Sequence, residues 1–278
     1  MKKTYSLHKI NNENEFSFDA EDYSLFKFGQ IEIAKKFGKQ LFEGFLKDYY
    51  SLLLNEEIYI FPSPYMAIPT ASNYLAKFFK QELDKFLFEN NLPSSKEGKI
   101  IRNQTYTTDY GNLSFEERKR LIANDTYYID RNLLENKTCI FIDDIRITGS
   151  HEYTINKILD NYDVKGHFYF LYFAELINKD INPKIENFFN YKKINSIEAL
   201  ISLMNLNQFK PNTRVIKYLL SLNDDDFEKV NQSLKPSLRE EISIYAISND
   251  YHLIEQYLKN LKKLHYGYQL TKGTERKY

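Results

Sequence analysis

Residues 138–152, TCIFIDDIRITGSHE, set an unbroken apolar run directly against two adjacent carboxylates, and few folds accommodate that junction. Cys139, Ile140, Phe141 and Ile142 have the character of a strand covered on both faces of a parallel sheet. Asp143 and Asp144 are not expected to continue into the core, because burying two unpaired like charges is costly or forces one of them to protonate. They belong at the carboxyl end of the strand. In an open α/β sheet that edge borders the crevice where ligands sit, so both acids are expected to face solvent or a bound polar group.

The residues that follow supply the opposite chemistry. Thr148, Gly149 and Ser150 are hydroxylated or flexible, and they precede a helical pattern over 151–162 with Ile155, Ile158 and Leu159 on one face. Gly149 permits close backbone approach to an anion, the hydroxyls donate, and the helix amino terminus adds unpaired N–H groups with the positive end of its dipole. Vicinal hydroxyls at the acids and a phosphate at the loop describe a ligand shaped like ribose 5-phosphate. The other reading is a solvated loop with a helix cap.

This pattern resembles the signature of the type I phosphoribosyltransferases: an apolar strand, two acids, three mostly apolar residues, then Thr-Gly. Asp143, Asp144, Thr148 and Gly149 match it, whereas Arg146 stands where an apolar residue is common, and Ser150 and His151 replace the usual Gly or Ala and Thr. The resemblance implies that Asp143 and Asp144 contact the ribose hydroxyls of phosphoribosyl pyrophosphate and reach a magnesium ion that arrives with the pyrophosphate. Neither acid is assigned as a general base. It further implies that Arg146, Ile147, Thr148, Gly149, Ser150 and His151 form the segment around the 5-phosphate. A helix-start histidine without a ligand is the competing role for His151, and Glu152 is read as stabilising the first turn.

A second strand-loop-helix unit runs through 58–61, the Pro62-Ser63-Pro64-Tyr65 break and a helical pattern over 70–88. Two such units imply a parallel arrangement with both loops at one edge of the sheet. By the resemblance, the first loop holds pyrophosphate, with Ser63, Pro64 and Tyr65 as candidates. A proline-rich turn is the alternative. Between the units, Thr107, Leu113, Ser114, Glu117 and Arg118 follow the order of the ComF-like branch, and Ser114 with Glu117 reads as a capping box. In related enzymes this insertion closes over the pyrophosphate. Arg102 and Arg118 are the basic residues placed to compensate leaving-group charge, while Arg118, Lys119 and Arg120 equally suit a solvated helix face.

Lys and Arg number 38 and Asp and Glu 38, so no global field attracts nucleic acid or an anionic membrane. The single cysteine, Cys139, excludes an internal disulfide and a cysteine metal cluster, and its apolar strand favours an inert thiol. The amino terminus has no apolar core for a secretory signal, and no run has membrane-spanning length, so a soluble cytoplasmic protein is expected.

After a polar lead, Ile33, Phe37, Leu41, Phe45 and Tyr49 recur every four residues over 31–54, predicting an amphipathic helix that covers the sheet or serves a subunit interface. A strand is expected over 167–174 and a connector or hood over 178–195. Helical periodicity then predicts helices at 197–204, 214–222, 225–234, 238–248 and 252–264, with Asp224, Asp225 and Asp226 at a helix start. His252 and His265 lack metal-pair spacing, and the tail after Tyr266 is expected to fray. The fold class is thus α/β: a parallel-sheet, Rossmann-like phosphoribosyltransferase core over 1–195 and a helical module over 196–278 for docking, a lid or oligomerisation.

The resemblance implies transfer of ribose 5-phosphate from phosphoribosyl pyrophosphate to a small-molecule acceptor, with magnesium as cofactor. The alternatives are a non-catalytic phosphoribosyl pyrophosphate or nucleotide sensor, and a component of a bacterial stress or defence system. Fold alone does not choose among them.

Overall fold

The computed structural model describes residues 1–102 and 127–275, with backbone alone at 102, 127, 128 and 268–275. Its centre is a five-stranded parallel sheet in the order β1-β7-β6-β2-β3, formed by β1 (Lys2–Ile10), β2 (Ile58–Pro62), β3 (Lys96–Glu97), β6 (Lys137–Arg146) and β7 (Gly166–Leu176). A separate antiparallel pair, β4 (Ile101–Arg102) and β5 (Tyr127–Tyr128), stands beside it.

Strand alternation divides the sheet between two cores. Ile58, Ile60, Ile140, Ile142, Tyr169, Leu171 and Phe173 face one cluster with α2 (Ile31–Asn55) and α3 (Ala71–Glu89). Phe37 of α2 stacks on Phe173 with ring centroids 4.0 Å apart. Tyr59, Phe61, Cys139, Phe141, Phe168, Phe170 and Tyr172 face the second cluster, closed by Ile155 and Leu159 of α4 (Ser150–Asn161). Both faces are therefore apolar, which is why the central strands read as continuous hydrophobic runs.

The first ten residues correct the expectation of a polar lead. They form the edge strand β1, in register with β7 from Lys2↔Phe168 to Ile10↔Leu176. Lysines on an exposed edge mask a strand in composition, while Tyr5 still meets Phe45 edge-on at 5.5 Å. A further unforeseen element is α1 (Ala20–Lys27), whose Asp19 cap accepts from the N–H groups of Glu21 and Asp22. The expected connector over 178–195 contains α5 (Ile185–Tyr191).

The later chain folds as α6 (Ile197–Met204), α7 (Thr213–Leu220), α8 (Asp224–Ser233), α9 (Pro236–Ser248) and α10 (Glu255–Glu275). Asn223 caps α8, and the three aspartates occupy its first turn. The backbone of α10 continues to Glu275, where fraying after Tyr266 was expected. These helices share a third apolar cluster that also takes Phe28 and Ile68 from the earlier chain. Gly29 makes that junction possible: its φ is +93° and an added Cβ would sit 2.2 Å from the Lys210 carbonyl oxygen. The Lys210 N–H donates to the Gly29 carbonyl, Asn212 Nδ2 to that of Lys27 and the Thr213 N–H to that of Pro69. The amino terminus of α7 is thereby fixed beside the loop that follows β2.

Candidate functional site

A cavity of about 560 Å³ opens at the carboxyl edge of the sheet. Its lining includes Asp143, Asp144, the loop 145–151, Ser63 and Pro64, together with residues from α1, α3, α5 and α7. Adjacent parallel strands explain the meeting of the two loops. Pro62 pairs with Ile142, so the next residue, Ser63, reaches Asp143 with Oγ donating to Oδ1 at 2.8 Å.

The acids are not at the strand end as expected: β6 runs through both to Arg146, and Asp144 is only 6% exposed. Burial is tolerated because the charge is matched. Lys27, the last residue of α1, places its ammonium on Asp144 Oδ2, to which Tyr23 also donates its hydroxyl at 2.5 Å. Asp143 accepts from Ser63 and from the Asp144 N–H at 2.9 Å, and its other oxygen lies 2.8 Å from His151 Nδ1.

The two carboxyls consequently diverge. Burial favours the protonated form of Asp143, but the His151 contact and the two donated hydrogen bonds outweigh it and hold the group below the ordinary carboxylate range. For Asp144, burial and the adjacent Asp143 charge outweigh Lys27 and Tyr23, leaving it above its ordinary value. Tyr23 itself is held well above the usual phenol range by burial and by the Asp144 charge.

The loop after β6 turns through Gly149, whose φ of +73° makes it the cap of α4. An added Cβ would lie 3.0 Å from Arg146 Nη2. Thr148 Oγ1 and Ser150 Oγ are 2.7 Å apart. Arg146 is fastened beneath this turn, with Nε 2.8 Å from Glu152 Oε2 and Nη1 2.6 Å from Glu175 Oε1. Burial would lower its pKa, yet the charges of Glu152 and Glu175 raise it. Glu152 also accepts from Thr4 and Tyr172, so it joins helix, loop and two strands rather than only the first helical turn.

Sequence reasoning missed several liners. Thr70, Ala71 and Ser72 bring the amino terminus of α3 to the same cavity, and Asn73 ties it to the β2 loop by donating to the Ser63 carbonyl at 2.9 Å. A Thr-Ala-Ser-Asn helix start after a strand was the available signal. Lys27, Glu186, Tyr191, Arg214, Lys217 and Tyr218 also line the cavity, and no local pattern marked them.

Tyr65 is not among the lining residues; it bridges Ile101, and the Lys99 ammonium stands 4.5 Å from its ring centre. The backbone of Arg102 lies in β4 while its side chain is outside the described residues, and Thr107, Leu113, Ser114, Glu117 and Arg118 lie outside them entirely. Cys139 is fully buried, and burial pushes its thiol up to about 12.

Among the described residues no group of three or more His, Cys, Asp or Glu side chains forms a metal cage. The Asp143–Asp144 pair offers the one or two carboxylates that a magnesium ion takes when phosphates and waters complete its shell. No described helix is long and apolar enough to cross a membrane.

Comparison with curated proteins finds no match. A family model described as PRTase ComF-like matches residues 1–264, and the chain therefore belongs to the ComF-like phosphoribosyltransferase family.

Proposed function

We propose that the chain binds phosphoribosyl pyrophosphate in the 560 Å³ cavity and transfers its ribose 5-phosphate to a small-molecule nucleophile, releasing pyrophosphate. The observation that carries this reading is the convergence on one cavity of two carboxylates and two helix amino termini, those of α3 and α4. A ligand with a diol at its middle and phosphates at both ends complements that distribution.

In this reading the Thr148–Ser150 turn holds the 5-phosphate through backbone N–H groups and hydroxyls. Asp143 accepts from the ribose hydroxyls and Asp144 supports it from the buried side. Ser63 and the first turn of α3 face the pyrophosphate. Transfer breaks the bond from the anomeric carbon to the pyrophosphate oxygen while the acceptor's lone pair forms the new bond, and the electron pair leaves with pyrophosphate. Positive charge on the sugar then develops beside the aspartates, and negative charge develops near donors. A magnesium ion brought by pyrophosphate would be held by Asp143 and Asp144 and would supply charge compensation for the leaving group.

A second reading, binding without turnover in a regulatory protein, is favoured by the internal Lys27–Asp144 pair, which already neutralises one of the two acids. Magnesium-dependent binding of phosphoribosyl pyrophosphate to the wild type, Asp143→Asn and Asp143→Asn/Asp144→Asn tests the site. Loss of most affinity in both variants is expected, because charged acceptors for the diol disappear. Unchanged affinity would remove the proposed role. Pyrophosphate release with an acceptor panel separates transfer from binding alone.

A further inference from the structure

Adjacent residues of a strand point to opposite faces, so Asp143 and Asp144 leave β6 on different sides of the sheet. Asp143 lies on the α4 side, where His151 Nδ1 meets it at 2.8 Å. Asp144 lies on the side of Ile140 and Ile142, which α2 and α3 cover, and there it meets Lys27 and Tyr23 of α1. Both acids line the cavity, and so does Lys27.

Two carboxylates in one cavity repel the phosphates of a ligand that enters it, unless a cation stands between them. Lys27 supplies one from within the chain. Its side chain is 12% exposed, and its ammonium sits on Asp144 Oδ2. An ammonium carries three N–H donors. Among the described residues, Asp144 Oδ2 is the acceptor that the Lys27 ammonium has, and Tyr23 shares that oxygen, its ring centre 5.9 Å from Lys27 Nζ. Two donors are thus left for a group that enters the cavity, and a largely buried cation with donors to spare is a strong seat for an oxyanion.

The backbone fixes where this seat lies. The Lys27 carbonyl accepts from Asn212 Nδ2 at 3.1 Å, and Asn212 is fully buried. The next residue, Thr213, donates its N–H to the Pro69 carbonyl at 2.9 Å and its hydroxyl to the Ile68 carbonyl at 3.0 Å. Thr70 then caps α3. Lys27 is therefore tied to the α3 side of the cavity, where Ser63 and the first turn of α3 face pyrophosphate in the reading above, and not to the Gly149 turn, which leads into α4 on the other face.

We propose that Lys27 bridges Asp144 and the diphosphate of the ligand: its ammonium holds Asp144 on one side and donates to diphosphate oxygens on the other. The inference deepens the phosphoribosyl-transfer reading and rests on it for the identity of the ligand. As the bond to the anomeric carbon breaks, its electron pair leaves on the pyrophosphate oxygen, the ammonium keeps its protons, and the developing negative charge lies beside it. A cation on α1 thereby provides the compensation that sequence order assigns to Arg102 and Arg118.

Calorimetry of pyrophosphate binding to the full chain, with EDTA present, reads this contact without a metal ion. The wild type is expected to bind, and Lys27→Arg to keep most of the affinity. Because Lys27→Met alone leaves Asp144 without its counter-ion, the deciding comparison is Asp144→Asn against Lys27→Met/Asp144→Asn, where residue 144 is the same and the ammonium differs. Its loss should weaken pyrophosphate roughly ten- to a hundredfold, while ribose 5-phosphate, which has no diphosphate, should bind the two variants equally. Lys27→Gln, which keeps a donor for Asp144 but no charge, should show the same selective loss in an otherwise unchanged chain. A residue that served Asp144 alone would give the opposite result: with Asp144 already neutral, removing Lys27 would leave pyrophosphate binding unchanged. That outcome overturns the proposal, as do absence of pyrophosphate binding by the wild type and equal losses for both probes. Phosphoribosyl pyrophosphate separates the two ideas. If it fails to bind while pyrophosphate keeps its dependence on Lys27, the donor reading alone falls; if it binds and ignores Lys27, this inference alone falls.

Discussion

Lys27 ends α1 and pairs with Asp144 on β6, 117 positions away in the chain, with side chains only 12% and 8% exposed. The pair explains how an Asp-Asp motif enters a largely buried strand. It also joins the amino-terminal helix to the site, because Tyr23, one turn earlier on α1, donates to the same carboxylate.

Removing one partner of this pair leaves an uncompensated buried charge. Lys27→Met is expected to destabilise the fold by roughly 3 kcal/mol, read from urea unfolding. Lys27→Met/Asp144→Asn should lose less than the sum of the single variants, with a coupling of about 1 kcal/mol or more. Strict additivity would show that the two side chains do not depend on each other.

Gly149 is required by conformation and by space. With φ at +73° and Arg146 Nη2 3.0 Å from an added Cβ, Gly149→Ala should cost about 1–2 kcal/mol in thermal or denaturant unfolding. Affinity for phosphoribosyl pyrophosphate should fall as well, since the turn must shift away from the anion. A variant as stable and as tight-binding as wild type contradicts this account of the turn.

The Cys139 thiol is buried and held up to about 12. A thiol-reactive disulfide reagent at pH 8 is therefore expected to leave the native protein unmodified and to titrate one thiol per chain after unfolding. Rapid native labelling would show that the strand opens.

His8 is packed between Phe18 and Phe173, at 5.4 and 4.7 Å between ring centres, and burial lowers its pKa from 6.5. The unfolded chain therefore binds its proton more readily than the fold does. This residue's contribution is complete above about pH 6.5 and is lost as pH falls from there through the lower folded-state value. Thermal unfolding across pH 5–8 should show His8→Phe with a shallower acid-side decline than wild type. Identical slopes would assign the decline to other groups.

Much of this architecture is visible in local pattern. The apolar run 139–142, the Thr148-Gly149 turn and the apolar spacing of 31–54 announce β6, the α4 cap and α2 because each depends on neighbours within a few residues. The edge strand β1 does not, since its lysines answer to solvent on an exposed edge and its partner β7 lies more than 160 positions away. The short helix α1 is similarly silent, because eight residues carry too little periodicity to stand out.

For the site, the chain order alone determined where carboxylates, hydroxyls and a permissive glycine would fall, because a strand-to-turn-to-helix junction is a local matter of side-chain type and backbone freedom. Tertiary structure decided what surrounds them. Lys27 reaches Asp144, His151 bends to Asp143, and the charged face of α7 arrives at the cavity only after the junction at Gly29 docks one part of the chain on another. Electrostatic partners are selected by proximity in space, and proximity across a hundred or more residues is created by packing rather than by sequence spacing.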